Sequence, residues 1–162
     1  MKKRGLRRFS AAVFGLCLSL LYGVVATAAD NAELKVYKSP TCGCCTKWIE
    51  HLEQQGLQAT GLHPTSMPAV KQHFGIAPAY RSCHTGVSTE GYVFEGHVPA
   101  KFIRQFLASP PEGAIGLSVP GMPVGSPGME VDQRFDAYQV LLLMQDGKVE
   151  IYQAVNSSAE QY

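Results

Sequence analysis

Leu34-Lys35-Val36-Tyr37-Lys38-Ser39-Pro40-Thr41-Cys42-Gly43-Cys44-Cys45-Thr46-Lys47-Trp48-Ile49-Glu50-His51-Leu52 changes period halfway along. Leu34 to Tyr37 alternates apolar and polar residues, the pattern of a half-buried strand. Ser39, Pro40 and Thr41 break it. From Cys45 the apolar positions fall at Cys45, Trp48, Ile49 and Leu52, the i, i+3, i+4, i+7 spacing of a helix buried on one face, and Gly56 is its stop. A strand therefore turns into a helix with three cysteines at the turn.

A helix N-terminus carries unpaired N–H groups and partial positive charge, and both favour thiolate over thiol. Thiolate is the form that attacks disulfides and binds metals. Cys42 and Cys45 are three apart and share a face, whereas the helical period turns Cys44 about 100° from Cys45. One ion does not easily take all three. Three readings stand: a structural Cys42–Cys45 disulfide with Cys44 as bystander, a thioredoxin-like redox pair, and metal binding through bridging thiolates. A third thiol beside a redox pair invites scrambling, and several sulfurs at one helix end suit a soft ion or small cluster.

Upstream, residues 1–28 read as a secretory signal. Lys2, Lys3, Arg4, Arg7 and Arg8 precede an apolar run from Ala11 to Ala26, and Ala26-Thr27-Ala28 is a small-residue cleavage site. The run is short for a membrane span, so no stable span is expected after cleavage. The signal holds five of the 14 basic residues and none of the 13 acidic ones, which leaves the mature chain at a formal charge of about −4. That charge argues against nucleic acid as a partner. Residues 30–162 suffice for one domain. Export points to a periplasm, where Cys42, Cys44, Cys45 and Cys83 are expected to be paired or metallated.

Downstream, Gln58 to Leu62 reads as a second strand, Ala69 to Phe74 as a short helix, and Ala100 to Leu107 as a helix buried through Phe102, Ile103, Phe106 and Leu107. Arg81 to Val87 and Tyr92 to Glu95 read as a hairpin. A turn centred between Thr89 and Glu90 sets Cys83 opposite Gly96 and brings Cys83 and His97 to one end of the sheet, facing the cysteine helix. A register centred near Val87 would instead set Pro78 opposite Gly96. Ala137 to Met144 and Lys148 to Ala154 form a hairpin around Gln145-Asp146-Gly147. The expected fold is α/β: a thioredoxin-like domain with an added Pro/Gly-rich loop, residues 110–130, and a C-terminal β-hairpin.

A long loop is usually functional or disordered. In a polar loop a methionine wastes its apolar surface unless something packs on it or uses its sulfur, and thioethers prefer cuprous ion over zinc. Met122 and Met129 are therefore candidate ligands, the alternative being that they plug the loop onto the core. Among the histidines, His51, His63 and His73 read as surface residues and His97 as a ligand. A regular strand would point His84 away from its neighbour Cys83, which leaves His84 in reserve behind His97 as a ligand.

Lys38-Ser39-Pro40-Thr41-Cys42-Gly43-Cys44-Cys45, Ser82-Cys83-His84-Thr85, Glu95-Gly96-His97-Val98-Pro99 and Gly121-Met122-Pro123-Val124-Gly125-Ser126-Pro127-Gly128-Met129 together resemble an exported bacterial family, long without assigned function, that includes the copper-resistance protein CopG. The resemblance runs from about Leu34 to Val155. It implies a thioredoxin-like fold, copper bound through cysteine sulfur, and a role in periplasmic copper tolerance. Carried over by motif, it places copper at Cys42, Cys44, Cys45 and Cys83, with His97, Met122 and Met129 as further ligands.

The expectation is a periplasmic protein that holds more than one cuprous ion in thiolates bridging two metals each, with the methionine loop as a lid. Its partners would be copper ions and other copper-handling proteins of that compartment. Copper redox cycling would make it an oxidoreductase, although no general base or substrate cleft is legible. The alternative is a periplasmic thiol-disulfide oxidoreductase of thioredoxin type; a zinc site or an iron–sulfur cluster is a third reading that four cysteines allow, and it leaves the paired loop methionines without a role.

Overall fold

The computed structural model describes residues 32–162. The expected signal at residues 1–28 lies outside the described residues. Among them no helix is long and apolar enough to cross a membrane.

The order is β1 (Glu33–Tyr37), α1 (Gly43–Gln54), β2 (Gln58–Leu62), α2 (Met67–His73), β3 (Thr85–Ser88), β4 (Val93–Gly96), α3 (Ala100–Ala108), β5 (Ala114–Val119), β6 (Tyr138–Met144) and β7 (Val149–Val155). Short 3-10 turns cover Pro78–Tyr80 and Ser158–Gln161. All seven strands form one mixed sheet in the order β2-β1-β3-β4-β5-β6-β7. β1 runs parallel to β2 and β4 to β5, and the other neighbours are antiparallel.

Helices cover both faces. On one, Trp48 and Leu52 of α1 and Phe102, Ile103 and Phe106 of α3 pack with Leu34, Val36, Phe94, Leu117, Val140 and Leu142. On the other, Phe74 and Ile76, just past α2, pack with Tyr37, Val87, Val93 and Leu143. The alternation in β1 is read correctly: Leu34 and Val36 are fully buried on the α1 face. Ser66 caps α2 by accepting the Ala69 N–H at 3.3 Å, which starts that helix two residues earlier than expected.

Residues 110–130 are not one continuous loop. β5 occupies Ala114–Val119, paired on both sides between β4 and β6. Its glycine disguises it, and the structure gives that glycine a cause: a Cβ on Gly116 (φ +150°) would lie 1.8 Å from the Val93 carbonyl oxygen. Only a residue without a side chain lets β4 and β5 come this close. The irregular connection instead runs from Pro120 to Ala137.

The β3–β4 hairpin is shifted by one residue from expectation. Thr85 pairs with Glu95 and Val87 with Val93, and the His84 carbonyl accepts the Gly96 N–H at 3.0 Å, so Cys83 stands level with His97. The turn is a three-residue loop, Thr89-Glu90-Gly91, closed by Gly91 N–H to Ser88 O at 3.0 Å and ended by Gly91 at φ +90°. An odd loop length moves the register by one. The register centred near Val87 is not formed.

Candidate metal centre

Cys42 is the N-cap of α1, with extended backbone (φ −77°, ψ 98°), and its Sγ accepts the Cys45 N–H at 3.3 Å. This is the thiolate-favouring position expected of a helix N-terminus. Because Cys42 lies outside the helical turn, the argument that Cys44 diverges from its neighbours fails. Cys44 Sγ is 3.5 Å from Cys42 Sγ, and the sulfurs of Cys42, Cys44, Cys45 and Cys83 all lie within 4.8 Å of one another. Four thiolates around one ion, each about 2.3 Å from it, would stand about 3.8 Å apart. Cys42 and Cys45 are joined by a disulfide, and Cys44 and Cys83 are free. Cys45 is fully buried, the other three partly.

The fourth cysteine comes from across the sheet. Cys83 lies two residues before β3, and both flanking histidines reach it: its Sγ is 3.2 Å from His84 Nδ1 and 3.2 Å from His97 Nε2. His84 does not point away as a regular strand would have it, because Ser82, Cys83 and His84 precede β3, with a bend at Cys83, and have no strand alternation to obey. Cys83, His84 and His97 thus make a second donor set that shares Cys83 with the first.

His97 Nδ1 donates to the Pro127 carbonyl at 2.8 Å, which fixes the tautomer and leaves the Nε2 lone pair toward Cys83. This is the arrangement in which metal-binding histidines are usually held. Burial lowers the His97 pKa, partly offset by that hydrogen bond. His84 is held well below the ordinary value by burial and then by the charges of His97 and Lys71. Both imidazoles are therefore neutral at physiological pH, the state a metal needs. His84 Nε2 is buried without a partner. Burial, with Cys44 adding to it, pushes the Cys83 thiol up to about 11, so without an added positive charge it stays protonated.

The sole tryptophan stands between the two sets. Trp48 donates Nε1–H to the Val98 carbonyl at 2.9 Å, and its ring centroid is 4.3 Å from that of His84.

The Pro/Gly-rich loop closes over the same end of the sheet. A Cβ on Gly128 (φ +86°) would lie 2.8 Å from both Cys44 O and Trp48 N, so glycine is what seats the loop on α1. Ser82 Oγ donates to the Gly121 carbonyl. Met122 is 53% exposed and Met129 is partly buried. Gln161 donates to Gly125 O at 3.0 Å and ties the loop to the C-terminal segment.

Sequence reasoning missed three residues. His51 is buried, not superficial: its Nε2 accepts the Ala100 N–H at 3.1 Å and caps α3. Burial lowers its pKa to about 4. Its i+3 relation to Trp48 was the available signal. Glu95 and Lys71 form a buried ion pair next to the Cys83 bend. The only hint was an acidic residue between the apolar Phe94 and the turn at Gly96. His63 and His73 are exposed, as expected.

A family model described as "Protein of unknown function, DUF411" matches residues 80–129, the stretch that carries Cys83, His84, His97, Met122 and Met129. No curated protein matches the chain. Two solved structures are similar to it. "Copper resistance protein copG- Form 2" is 41% identical, with 78% of this chain and 99% of that one covered and a TM-score of 0.73. "Copper resistance protein copG- Form 1" is 42% identical, with 77% and 98% covered and a TM-score of 0.72.

Proposed function

Since the chain belongs to the family of the copper resistance protein CopG, we propose that it is a periplasmic copper-resistance protein that captures more than one cuprous ion in a cysteine-bridged site. The observation that carries this reading is the cluster of four sulfurs within 4.8 Å, one of which also faces two neutral imidazoles. Cys83 is common to both donor sets, which supports a bridging role between two ions. Thiolate and imidazole suit copper and zinc alike, and the exposed thioether at Met122 is what turns the set toward the cuprous ion.

The domain is read as thioredoxin-like from the strand order β2-β1-β3-β4 with a helix following β1, β2 and β4. In that setting the Cys42–Cys45 bridge is the copper-free form. Exchange with an external dithiol converts it to two thiols while that dithiol is oxidised to a disulfide, and the two thiols lose their protons on taking up metal. Bound copper in turn keeps the bridge open. Cys83 deprotonates on the same event, since a coordinated thiol is ionised outright. Met122 and Met129 act from the loop that covers α1.

Anaerobic titration of the reduced, signal-free protein with cuprous ion against a competing chelator, with metal counted by native mass spectrometry, tests this. More than one tightly held copper per chain is expected. No uptake beyond the competitor would sink the proposal.

A second reading, a periplasmic thiol-disulfide oxidoreductase, draws on the same bridge, since a partly exposed Cys42 ahead of a buried Cys45 is the asymmetry of an exchange-active pair. It expects Cys44→Ala to retain insulin reduction and Met122→Ala with Met129→Ala to change nothing. The copper reading expects both variants to lose metal.

A further inference from the structure

Lys71 and Glu95 pair at 2.5 Å with 6% and 0% of their side chains exposed. Burying two charges is costly, and apolar residues of the same volume usually stabilise a core as well or better. The hydrogen bonds around the pair show what the charge reaches. Glu95 Oε1 accepts from Lys71 Nζ at 2.5 Å and from the Ser82 backbone N–H at 2.6 Å, while Oε2 accepts from Thr85 Oγ1 at 2.6 Å. Thr85 Oγ1 in turn accepts from Lys71 Nζ at 3.0 Å. Three of these four residues belong to elements, α2, β3 and β4; Ser82 belongs to none.

Ser82 opens the bend that carries Cys83 and His84. The sheet ladder holds this bend on one side only, through the His84 carbonyl and the Gly96 N–H. On the other side its anchor is Glu95. Ser82 also reaches the Pro/Gly-rich loop through Gly121, so a single residue takes the carboxylate on its amide and the loop on its hydroxyl. A charged acceptor holds an N–H more firmly than a neutral one, and Lys71 is the counter-charge paired with that carboxylate in the core.

We propose that the Lys71–Glu95 pair, completed by Thr85, is a positioning brace: it fixes the Ser82 amide and thereby sets Cys83 Sγ between His84 and His97. The inference rests on the copper reading for its purpose, and its geometry can be tested without metal.

In a Cys44→Ser background with the Cys42–Cys45 bridge intact, Cys83 is the one free thiol of the signal-free chain, and its alkylation by iodoacetamide at fixed pH reports how it is held. Lys71→Met with Glu95→Leu removes both charges and the acceptor. Lys71→Met with Glu95→Gln removes the charges but keeps a side-chain carbonyl for Ser82. In the leucine variant, alkylation is expected to speed up at least about tenfold, and cuprous affinity of the reduced four-cysteine protein to fall about 10- to 100-fold, the usual loss for an outer partner of a metal ligand. The glutamine variant is expected to recover most of both, with similar thermal midpoints for the two. Unchanged alkylation and affinity in the folded leucine variant, or a glutamine variant as defective as the leucine one, would overturn the brace. Thr85→Val removes one arm with the charges still paired; it serves if the leucine variant does not fold, and wild-type values in it would count against the brace equally. Failure of the unaltered protein to bind copper would end the copper reading alone, with the alkylation rates still deciding the brace.

Discussion

The two donor sets that meet at Cys83 are built in opposite ways. Cys42, Cys44 and Cys45 lie within four residues of one another, at a helix end that its own N-cap organises, with Cys42 and Cys44 partly open to solvent and Cys45 buried. Cys83, His84 and His97 come from a bend and a strand end, are drawn together across β3 and β4, and depend on a buried ion pair, a carbonyl of a distant loop and the ring of Trp48. The first set holds two of its sulfurs in a disulfide, with the Cys44 sulfur 3.5 Å from Cys42 Sγ. The second has each of its members held by something remote in the sequence. A site made of a local half and a long-range half takes its spacing from two independent sources.

The comparison breaks most completely at its shared atom. Cys83→Ser removes the sulfur common to both sets, and cuprous affinity is expected to fall by about a thousandfold, about 4 kcal/mol, with the Cys42–Cys45 bridge still forming. Competition titration measures the first, mass analysis of alkylated protein the second. A loss of less than tenfold would mean that the helix set works alone.

A smaller effect separates the two halves by acid. His51 on α1 and His84 and His97 at the strand end all have lowered pKa values in the folded state. The unfolded chain therefore takes up protons first as pH falls, and stability present above about 6.5 is lost below it. For His51, falling from 6.5 to about 4, the loss over that window reaches about 3 kcal/mol. Denaturant unfolding of the disulfide form at pH 7 and pH 4.5 should show it. His51→Gln should flatten the dependence by the α1 share, and the slope that remains belongs to His84 and His97. An unchanged slope would place the whole acid sensitivity at the strand end.

The loop that touches both halves gives the smallest effect. Gly128→Ala forces a Cβ against Cys44 O and Trp48 N at a positive φ, whereas Gly121→Ala meets nothing within 4 Å and carries only the backbone strain of φ +71°. Expected losses of stability are about 2 kcal/mol and about 1 kcal/mol, read by denaturant unfolding. Equal losses would mean that the seat on α1 carries no weight.

The helix set was legible because its information is local: period, cap and cysteine spacing all sit between Leu34 and Leu52. β2 and the final hairpin were legible for the same reason. What failed was what depends on a neighbour in space. β5 was hidden by Gly116, whose cause is Val93 on another strand. The one-residue hairpin shift came from the φ of Gly91 in a three-residue loop. His84 was misdirected by assuming strand geometry for a bend, and His51 was taken for a surface residue because the helix that covers it, α3, lies about fifty residues on. Glu95 and Lys71 are separated by 24 positions, and neither residue alone suggests the other.

Trp48 is the chain's one tryptophan, with its indole on His84 and its backbone under Gly128. The molecule thus carries a single indole where the strand-end set meets the loop seated on α1. Its emission, free of any second indole, is a label-free gauge of movement on either side.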